Sequence, residues 1–409
     1  MSRRPGGRAR LALVHYSAAP VTGGVESVLA AHAHLLRGRG HDVRVVAGRG
    51  EASLLPEVDS RHPEVEAVAR RLATGDAASD QFDRLRDRLG EGLRSLLDDR
   101  DVVIAHNVLT MPFNLPLATA LTGAGRPLVA WTHDLAWVNP RYAEYRRAGW
   151  PWSILHEAQP GVRYVAVSRV RQAEVAATLG LRRRDVPVVP NGVDAARFWG
   201  LGRRTLELAR RAGLEAADPL VLVPVRVTRR KRLELALEAA ARLAPLYPGL
   251  RVVVTGPLGP HSADNLEYAA YLRQLRSDLG LDQVVRFLHE LAGADGRHPV
   301  DDRSIAELYR LADVVLLPSE SEGFGLPVVE AGLSGTPLVC ADIPVLREVS
   351  GGAAWTFRPG AGGDDVAAAV ARALRSRTAR LRRQARRGYG WPAVLERVEH
   401  VIDEALGGR

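Results

Sequence analysis

Short apolar runs alternate with helical patterns along this chain, and the alternation begins twice. In the first series, an apolar run at 11–14 leads through a turn-rich loop to a helical pattern over 25–37. The second series opens with an apolar run at 220–225 and a helical pattern over 233–243. Strands that alternate with helices form parallel sheets whose two faces are covered by the helices. The sequence therefore predicts an α/β chain of two Rossmann-like, doubly wound domains that face a cleft.

Further patterns of both kinds fill in the two series. Strand patterns lie at 43–46, 101–105, 127–131, 164–167, 186–189, 250–255, 284–288, 313–317 and 337–340. Helical patterns lie at 305–311, 327–333 and, with an interruption at 388–392, at 371–406. We expect an N-terminal domain at 1–195, a C-terminal domain at 196–385, and a C-terminal helix over 386–409 that crosses back to the first domain.

Composition narrows the class of protein. A single cysteine, Cys340, excludes an internal disulfide and a thiolate metal centre, and it fits a reducing compartment. No stretch approaches the about 18 apolar residues that a membrane-spanning helix needs. The basic N-terminus leads only into the short run at 11–14, whereas a signal peptide needs an apolar core of about seven residues or more. We therefore expect a cytoplasmic protein.

The charge balance is basic, with 56 Lys and Arg against 47 Asp and Glu and a net charge of +9. Such a chain could bind nucleic acid, an anionic membrane or a phosphorylated small molecule. The basic pairs are scattered among acids, and aromatic residues make up only 5%, which disfavours a nucleic-acid surface. A transient contact with an anionic membrane surface stays open. Lys231 is the only lysine in the chain.

Two glutamates and two glycines stand together in the segment 318–332, which follows a strand pattern and opens a helix. Gly323 and Gly325 allow the backbone to approach a ligand closely, and the helix start offers unpaired N–H groups to an anion. Glu322 and Glu330 present carboxylates to the same ligand at different depths. Because a carboxylate accepts directional hydrogen bonds, it suits vicinal hydroxyl groups. The segment therefore indicates a ligand site.

This segment resembles the E-G-F-G-x-x-x-x-E stretch of the retaining glycosyltransferases of the GT-B fold, family four, a group that includes glycogen synthases and mannosyltransferases. In that family the stretch holds the nucleotide-sugar donor. The resemblance implies that Glu322 contacts sugar hydroxyls and Glu330 the ribose hydroxyls. It also implies a set of residues that lie against the sugar and the diphosphate: Gly323, Phe324, Gly325 and Leu326.

A second part of the resemblance lies in the loop after the first strand of the second series. Arg226 and Lys231 stand five residues apart, like the arginine and lysine that clasp the donor diphosphate in this family. Physically, arginine offers a fork of donors to phosphate oxygens and lysine a compact charge. Val225 stands where the family often has a glycine. The neighbouring cations are expected to face solvent: Arg229, Arg230 and Arg232.

The resemblance also implies a contribution from the N-terminal domain, on the acceptor side. Gly23 and Gly24 match a glycine loop that approaches the donor phosphate. His133, after the strand pattern at 127–131, matches a histidine that reaches the transferred sugar. The phrase N-G-V-D at 191–194 matches the interdomain hinge. The residues expected to act in catalysis are His133, Arg226, Lys231 and Glu322.

Phe287 and Leu288 end a strand pattern. In the family that this chain resembles, backbone groups that follow this strand bind the base of the donor nucleotide. His289 and Glu290 follow where the family usually has glycine. The donor base, whether of UDP, GDP or ADP, therefore stays open.

We interpret the chain as a hexosyltransferase that uses a nucleoside diphosphate sugar and an acceptor with a free hydroxyl, with retention of configuration. No Asp-x-Asp cluster stands out, so we expect no metal and no other cofactor. A nucleotide-sugar epimerase or hydrolase of the same fold remains an alternative. A basic, non-enzymatic nucleic-acid-binding protein is the least supported alternative. The hexose, the acceptor and the oligomeric state stay open.

Overall fold

The computed structural model describes residues 7–74, 80–258, 263–292 and 299–407. Most of the basic N-terminus and residues 293–298 of the loop after Glu290 lie outside the described residues. The chain divides into two compact units, the first made of the residues up to Gly192 and from Trp391 onward, the second of Val193–Gly390. Each unit contains one six-stranded sheet.

All strand pairs of the first unit's sheet are parallel, in the order β3-β2-β1-β4-β5-β6. Its elements up to residue 192 are β1 (Arg10–Val14), α1 (Gly24–Gly38), β2 (Asp42–Ala47), β3 (Ser53–Leu54), α2 (Pro63–Thr74), α3 (Asp80–Leu97), β4 (Val102–His106), α4 (Leu115–Thr122), β5 (Leu128–Thr132), β6 (Val162–Ala166) and α5 (Arg169–Leu179). Every position of β4 and β5 is buried. Strands covered on both faces in this way appear in the sequence as continuous apolar runs.

The second unit repeats the design, with the parallel order β12-β11-β10-β7-β8-β9. Its elements are α6 (Ala195–Phe198), α7 (Arg203–Ala212), β7 (Leu220–Val223), α8 (Leu233–Leu243), β8 (Arg251–Val254), α9 (Ala263–Asp278), β9 (Val285–Phe287), α10 (Asp302–Leu311), β10 (Val314–Leu317), α11 (Leu326–Ser334), β11 (Leu338–Ala341), α12 (Pro344–Ser350), β12 (Trp355–Phe357), α13 (Gly363–Leu374) and α14 (Arg377–Tyr389). The two central strands, β7 and β10, are buried at every position.

The last helix, α15 (Trp391–Gly407), is part of the first unit. Its Val394, Val398 and Val401 are buried in the same apolar cluster as Leu11 of β1 and Ile104 of β4. This burial is what ties the end of the chain to the first sheet, since apolar area removed from water stabilises by about 25 cal/mol per Å².

Residues 386–390, which the sequence assigned to the C-terminal helix, belong to the second unit instead, because α14 continues through them to Tyr389. Arg386 shows the physical reason, since its guanidinium lies 2.6 Å from the fully buried carboxylate of Asp313. The other limit of the second unit falls at Val193, near the expected boundary at 195.

The predicted fold class, two Rossmann-like α/β domains with parallel sheets, is confirmed. The strand predicted at 186–189 is wrong, because only Val188 forms a bridge there, to Ala166. Pro187 and Pro190 flank that bridge, and proline has no N–H with which to extend a ladder. Strand β12 was not anticipated.

Candidate active site

A buried ion pair lies where the loops after β7 and β10 come together. These two strands are neighbours in a parallel sheet, so their carboxyl ends share one edge, the edge at which open α/β sheets bind ligands. From the first loop, the ammonium of Lys231 donates to Oε1 of Glu322 on the second. The two side chains are 9% and 8% exposed. The structure therefore brings together two residues that the sequence placed 91 positions apart.

Arg230 supports the same loop. Its Nη1 donates to the carbonyl oxygen of Ser321 at 3.1 Å and lies 3.7 Å from Oε2 of Glu322. Arg230 is 53% exposed, as expected of a solvent-facing cation, and it also fastens this loop. Its neighbours also have partners: Arg229 lies over the ring of Tyr268 at 5.4 Å, and Arg232 pairs with Glu234 at 2.5 Å.

The glycine loop before α11 is open on one side and tightly packed on the other. Gly325 has φ +91° and is buried, and a Cβ there would lie 2.8 Å from Cδ2 of Leu346. Only glycine meets both requirements without strain. A Cβ on Gly323 would meet nothing within 4 Å, and Phe324 and Leu326 are 56% and 63% exposed. The loop thus presents accessible backbone beside the helix start.

Glu330, within α11, is held by a residue that the sequence analysis missed. The hydroxyl of Tyr309 in α10 donates to Oε2 of Glu330 at 2.6 Å. Burial, and then the neighbouring carboxylate, raise the pKa of Tyr309 above its ordinary value, so the hydroxyl stays a donor. No sequence motif marks this tyrosine. The bond occupies one carboxylate oxygen of Glu330 and leaves the other available to a ligand.

Arg226 and the expected base region differ in exposure. Arg226 is exposed on the loop after β7. Phe287 and Leu288, by contrast, are buried in the core of the second unit at 2% and 0% exposure. Their side chains cannot stack on a base, so the predicted base contact is restricted to their backbone groups.

In the first unit, the loop before α1 is shaped around Glu26. A Cβ on Gly23 would collide with the carboxylate of Glu26, which also accepts a hydrogen bond of 2.7 Å from Oγ of Ser17. Gly24 begins α1, is exposed, and has room for a side chain. The two glycines therefore have different local roles: the first permits a close contact, while the second leaves the helix start open.

Three histidines gather at the carboxyl edge of the first sheet. His15 follows β1, His106 ends β4, and His133 follows β5. His106 Nδ1 lies 3.1 Å from His133 Nε2, and His15 Nδ1 lies 2.7 Å from the carbonyl oxygen of His106. His32 of α1 packs against His106, with ring centroids 5.3 Å apart.

All four histidines are held neutral by burial. Desolvation lowers the pKa of His32 to about 4, and burial together with the nearby histidines lowers that of His133 to about 3. Burial, and then the nearby histidines, lower the pKa of His106, and burial alone lowers that of His15. His133 is therefore an uncharged hydrogen-bonding group at neutral pH.

Within the part of the chain that the structure describes, no group of three or more His, Cys, Asp or Glu side chains is arranged to hold a metal ion. Nor does any helix there have the length and apolarity needed to cross a membrane.

Two family models match the chain. Residues 206–390 match the model described as "Glycosyl transferases group 1", and residues 22–197 match "Glycosyltransferase Family 4". A D-inositol 3-phosphate glycosyltransferase of Kineococcus radiotolerans is 33% identical over 305 residues, which cover 69% of this chain and 67% of the relative. The enzyme of the same name from Geodermatophilus obscurus is 38% identical over 223 residues, 53% of this chain and 47% of the relative. The enzyme of that name from Nocardia farcinica is 32% identical over 303 residues, which cover 68% of this chain and 62% of the relative.

The chain thus spans about half to three fifths of the length of the last two relatives.

Among solved structures, a glycosyltransferase from Rickettsia africae matches with a TM-score of 0.38 at 16% identity, covering 98% of this chain and 100% of the other. The Anabaena protein HepE in complex with UDP-glucose matches with a TM-score of 0.36 at 17% identity, covering 97% and 100%.

Two Rossmann-like units, with matched family models on both, define a protein of the GT-B class. The chain belongs to the group 1, family 4 glycosyltransferases, and the family that its motifs predicted is confirmed.

The neutral histidines predict a pH-dependent stability. Below pH 6.5, the ordinary histidine pKa, these histidines bind protons in the unfolded chain but stay unprotonated in the folded protein. The free energy of unfolding therefore falls as the pH drops from 6.5 towards about 4, the folded-state pKa of His32. We expect His32→Leu to remove up to about 1.4 kcal/mol per pH unit of this dependence. The measurement is the urea unfolding midpoint between pH 7.5 and 4.5.

His400→Gln is the matched control, because the side chain of His400 is 71% exposed. It should keep the parent's pH dependence. If His32→Leu kept it as well, a neutral His32 would not contribute to the acid sensitivity.

Proposed function

We propose that this chain transfers a hexose from a nucleoside diphosphate sugar to an acceptor hydroxyl, with retention of configuration. The observation that supports this best is the buried Lys231–Glu322 pair at the carboxyl edge of the second sheet. A cation for the diphosphate and a carboxylate for the sugar lie there side by side, next to an open glycine loop. The family to which the chain belongs supports the same reading.

The donor's charged part is proposed to lie between the loops after β7 and β10. Lys231 and Arg226 would bind the diphosphate oxygens, and the N–H groups at the start of α11 would add partial positive charge. Two buried hydroxyls on these loops, of Thr228 and Ser319, have no hydrogen-bond partner within the described residues. Because buried polar groups are normally paired, a ligand is a natural partner for them.

Donor binding would then exchange partners at the ion pair. The ammonium of Lys231 turns from the carboxylate of Glu322 to a phosphate oxygen, and the freed carboxylate accepts hydrogen bonds from sugar hydroxyls. The desolvation of both charges is already present in the ligand-free unit, because both side chains are about nine-tenths buried. Such preorganised charges stabilise a developing charge without further reorganisation.

The proposed chemistry is a substitution at the anomeric carbon. The bond from that carbon to the diphosphate oxygen breaks, and its electron pair leaves with the diphosphate. The acceptor oxygen bonds to the same carbon on the same face, and its proton passes to the leaving phosphate oxygen. Lys231 and Arg226 offset the charge that develops on the diphosphate. Glu330, fixed by Tyr309, would hold the ribose hydroxyls.

Two residues of the first unit also have proposed roles. We propose that the open helix start at Gly24 approaches the donor phosphate, and that the neutral imidazole of His133 hydrogen-bonds the sugar. The relatives carry an acceptor in their name, D-inositol 3-phosphate. A phosphorylated cyclitol is therefore the acceptor to try first.

Product analysis separates this function from its alternatives. UDP-, GDP- and ADP-sugars are each incubated with the protein, alone and with D-inositol 3-phosphate. A transferase yields a sugar–acceptor conjugate and free nucleoside diphosphate only when both substrates are present. A new nucleotide sugar or a free sugar from the donor alone would instead identify an epimerase or a hydrolase.

Lys231 should matter more than its neighbour Arg230. Lys231→Ala should lower diphosphate affinity and transfer about 10- to 150-fold, because a charge-assisted bond contributes about 1.5–3 kcal/mol. Lys231→Arg should restore only part, since the planar guanidinium needs more room than the ammonium. Arg230→Ala should have a smaller effect, through the loop that it fastens.

The control is Arg242→Ala in α8, whose side chain is 63% exposed and pairs with an exposed aspartate. It should leave affinity and transfer unchanged. Calorimetry and donor turnover are measured on all four variants after thermal unfolding confirms that each is folded. A silent Lys231→Ala beside a damaged Arg230→Ala would show that the diphosphate contact lies one residue earlier.

The two glutamates should separate in their effects. Glu330→Ala should weaken binding of the free nucleoside diphosphate, because the ribose loses its carboxylate partner. Glu322→Gln should not weaken it, since the change frees Lys231 and removes a negative charge beside the phosphates, but it should lower transfer. Calorimetry with the diphosphate and turnover with the full donor test this; equal loss of affinity in both variants would refute the assignment.

A further inference from the structure

The inner histidine of the first unit has one hydrogen-bond partner for its ring. His106 is fully buried, and its Nδ1 lies 3.1 Å from Nε2 of His133. Its other ring nitrogen, Nε2, is buried without a hydrogen-bond partner within the described residues. Its plane lies at 27° to the rings of both Trp131 and His133, with ring centroids 5.7 Å and 5.4 Å apart, so the ring is packed from both neighbours while Nδ1 points at His133. It therefore holds a fixed orientation towards His133.

Only one proton can lie between the two nitrogens. Burial lowers the pKa of both rings, so each imidazole is neutral and carries a single N–H. If His133 donated from Nε2, His106 would have to carry its own proton on the buried Nε2, where no acceptor lies. If His106 donates from Nδ1, its Nε2 is a bare lone pair. Orphaned buried N–H groups are the rarer and costlier defect, which favours the second arrangement.

We propose that His106 is a positioning residue: its Nδ1–H donates to Nε2 of His133 and thereby fixes the proton of His133 on Nδ1. The hydrogen bond made by one ring nitrogen sets the state of the other, as it does for metal-binding and catalytic histidines. His133 then offers a hydrogen-bond donor, Nδ1–H, and no lone pair.

The side chain of Asn107 holds the main chain at His133. The N–H of His133 donates to Oδ1 of Asn107 at 3.1 Å, and Asn107 itself has φ +59°, a left-handed conformation that asparagine tolerates better than most residues. The residue after His133 also donates its N–H to this Oδ1, at 2.8 Å. The ring and the main chain of His133 are thus both fixed from β4, His106 being the last residue of that strand and Asn107 the next.

The consequence for transfer rests on the proposed function. If His133 meets the sugar, it does so as a donor to an oxygen atom, and loss of the His106 bond lets the proton redistribute between the two nitrogens of His133. In the other tautomer, His133 is still present but no longer donates to the sugar. The aspartate of a catalytic triad acts in a similar way, because it holds its histidine in the correct tautomer.

The direct test is a ring-nitrogen spectrum of the whole protein. Two-bond proton–nitrogen correlation spectra on histidine-labelled protein at pH 8 distinguish protonated from bare ring nitrogens. We expect His133 with Nδ1 protonated and Nε2 bare, and His106 with Nδ1 protonated. A protonated Nε2 on His133 would overturn the proposal. His133→Gln and His106→Asn assign the signals.

The kinetic test compares three variants. His106→Leu should lower kcat about tenfold, which corresponds to about 1.4 kcal/mol, with little change in the KM for the donor. His106→Asn keeps an amide N–H near the position of Nδ1 and should recover most of that loss. His32→Leu is the control, because His32 is equally buried and packs on the same Trp131 without bonding His133; it should keep the parent's kcat at pH 8.

Equal losses in the Leu and Asn variants of His106, or an equal loss in His32→Leu, would mean that the cluster only fills space and would overturn the proposal. The ring-nitrogen spectrum does not depend on turnover. A parent protein without transferase activity would therefore count against the proposed function, while the spectrum would still decide the assignment for His106.

Discussion

The candidate site of the second unit depends on one buried contact, that of the ammonium of Lys231 with the carboxylate of Glu322. Each side chain is only about one-tenth exposed, and an unpaired buried charge costs several kcal/mol, so each needs the other as a partner. The contact therefore couples two loops that the chain builds far apart, and it requires that β7 and β10 be neighbours. A buried ion pair contributes little net stability to a fold, because the desolvation of both charges offsets their attraction. It is well suited to a ligand that carries both phosphate and hydroxyl groups.

The first unit also buries polar side chains at the edge of its sheet, but these side chains are neutral. Its sheet edge collects His15, His106 and His133, and burial removes their charge rather than pairing it. These side chains can therefore bind a ligand through the direction of their hydrogen bonds and not through charge, because a neutral imidazole donates from one nitrogen and accepts with the other. The two units thus share a parallel sheet and differ in what their strand ends offer.

Sequence reasoning recovered the α/β class and the two sheets because these depend on local patterns. It named Lys231 and Glu322 as site residues through the family resemblance, but it did not predict their contact, which depends on how two distant loops meet. It could not find Tyr309, whose bond to Glu330 depends on how α10 packs on α11. It could have found His106, since histidines end or follow three strands that the alternation already made parallel neighbours. The false strand at 186–189 came from counting apolar residues without weighing the prolines beside them.

The roles proposed for both units depend on a nucleoside diphosphate site built around Lys231 in the second unit. Thermal unfolding of the whole protein with UDP, GDP or ADP tests it most directly. A ligand of the native state at about 100 times its dissociation constant adds about 2.7 kcal/mol, so one diphosphate should raise the unfolding temperature in a concentration-dependent way. An unfolding temperature unchanged by all three diphosphates would rule out the diphosphate site, and a rise with an oligonucleotide instead would indicate a nucleic-acid-binding protein.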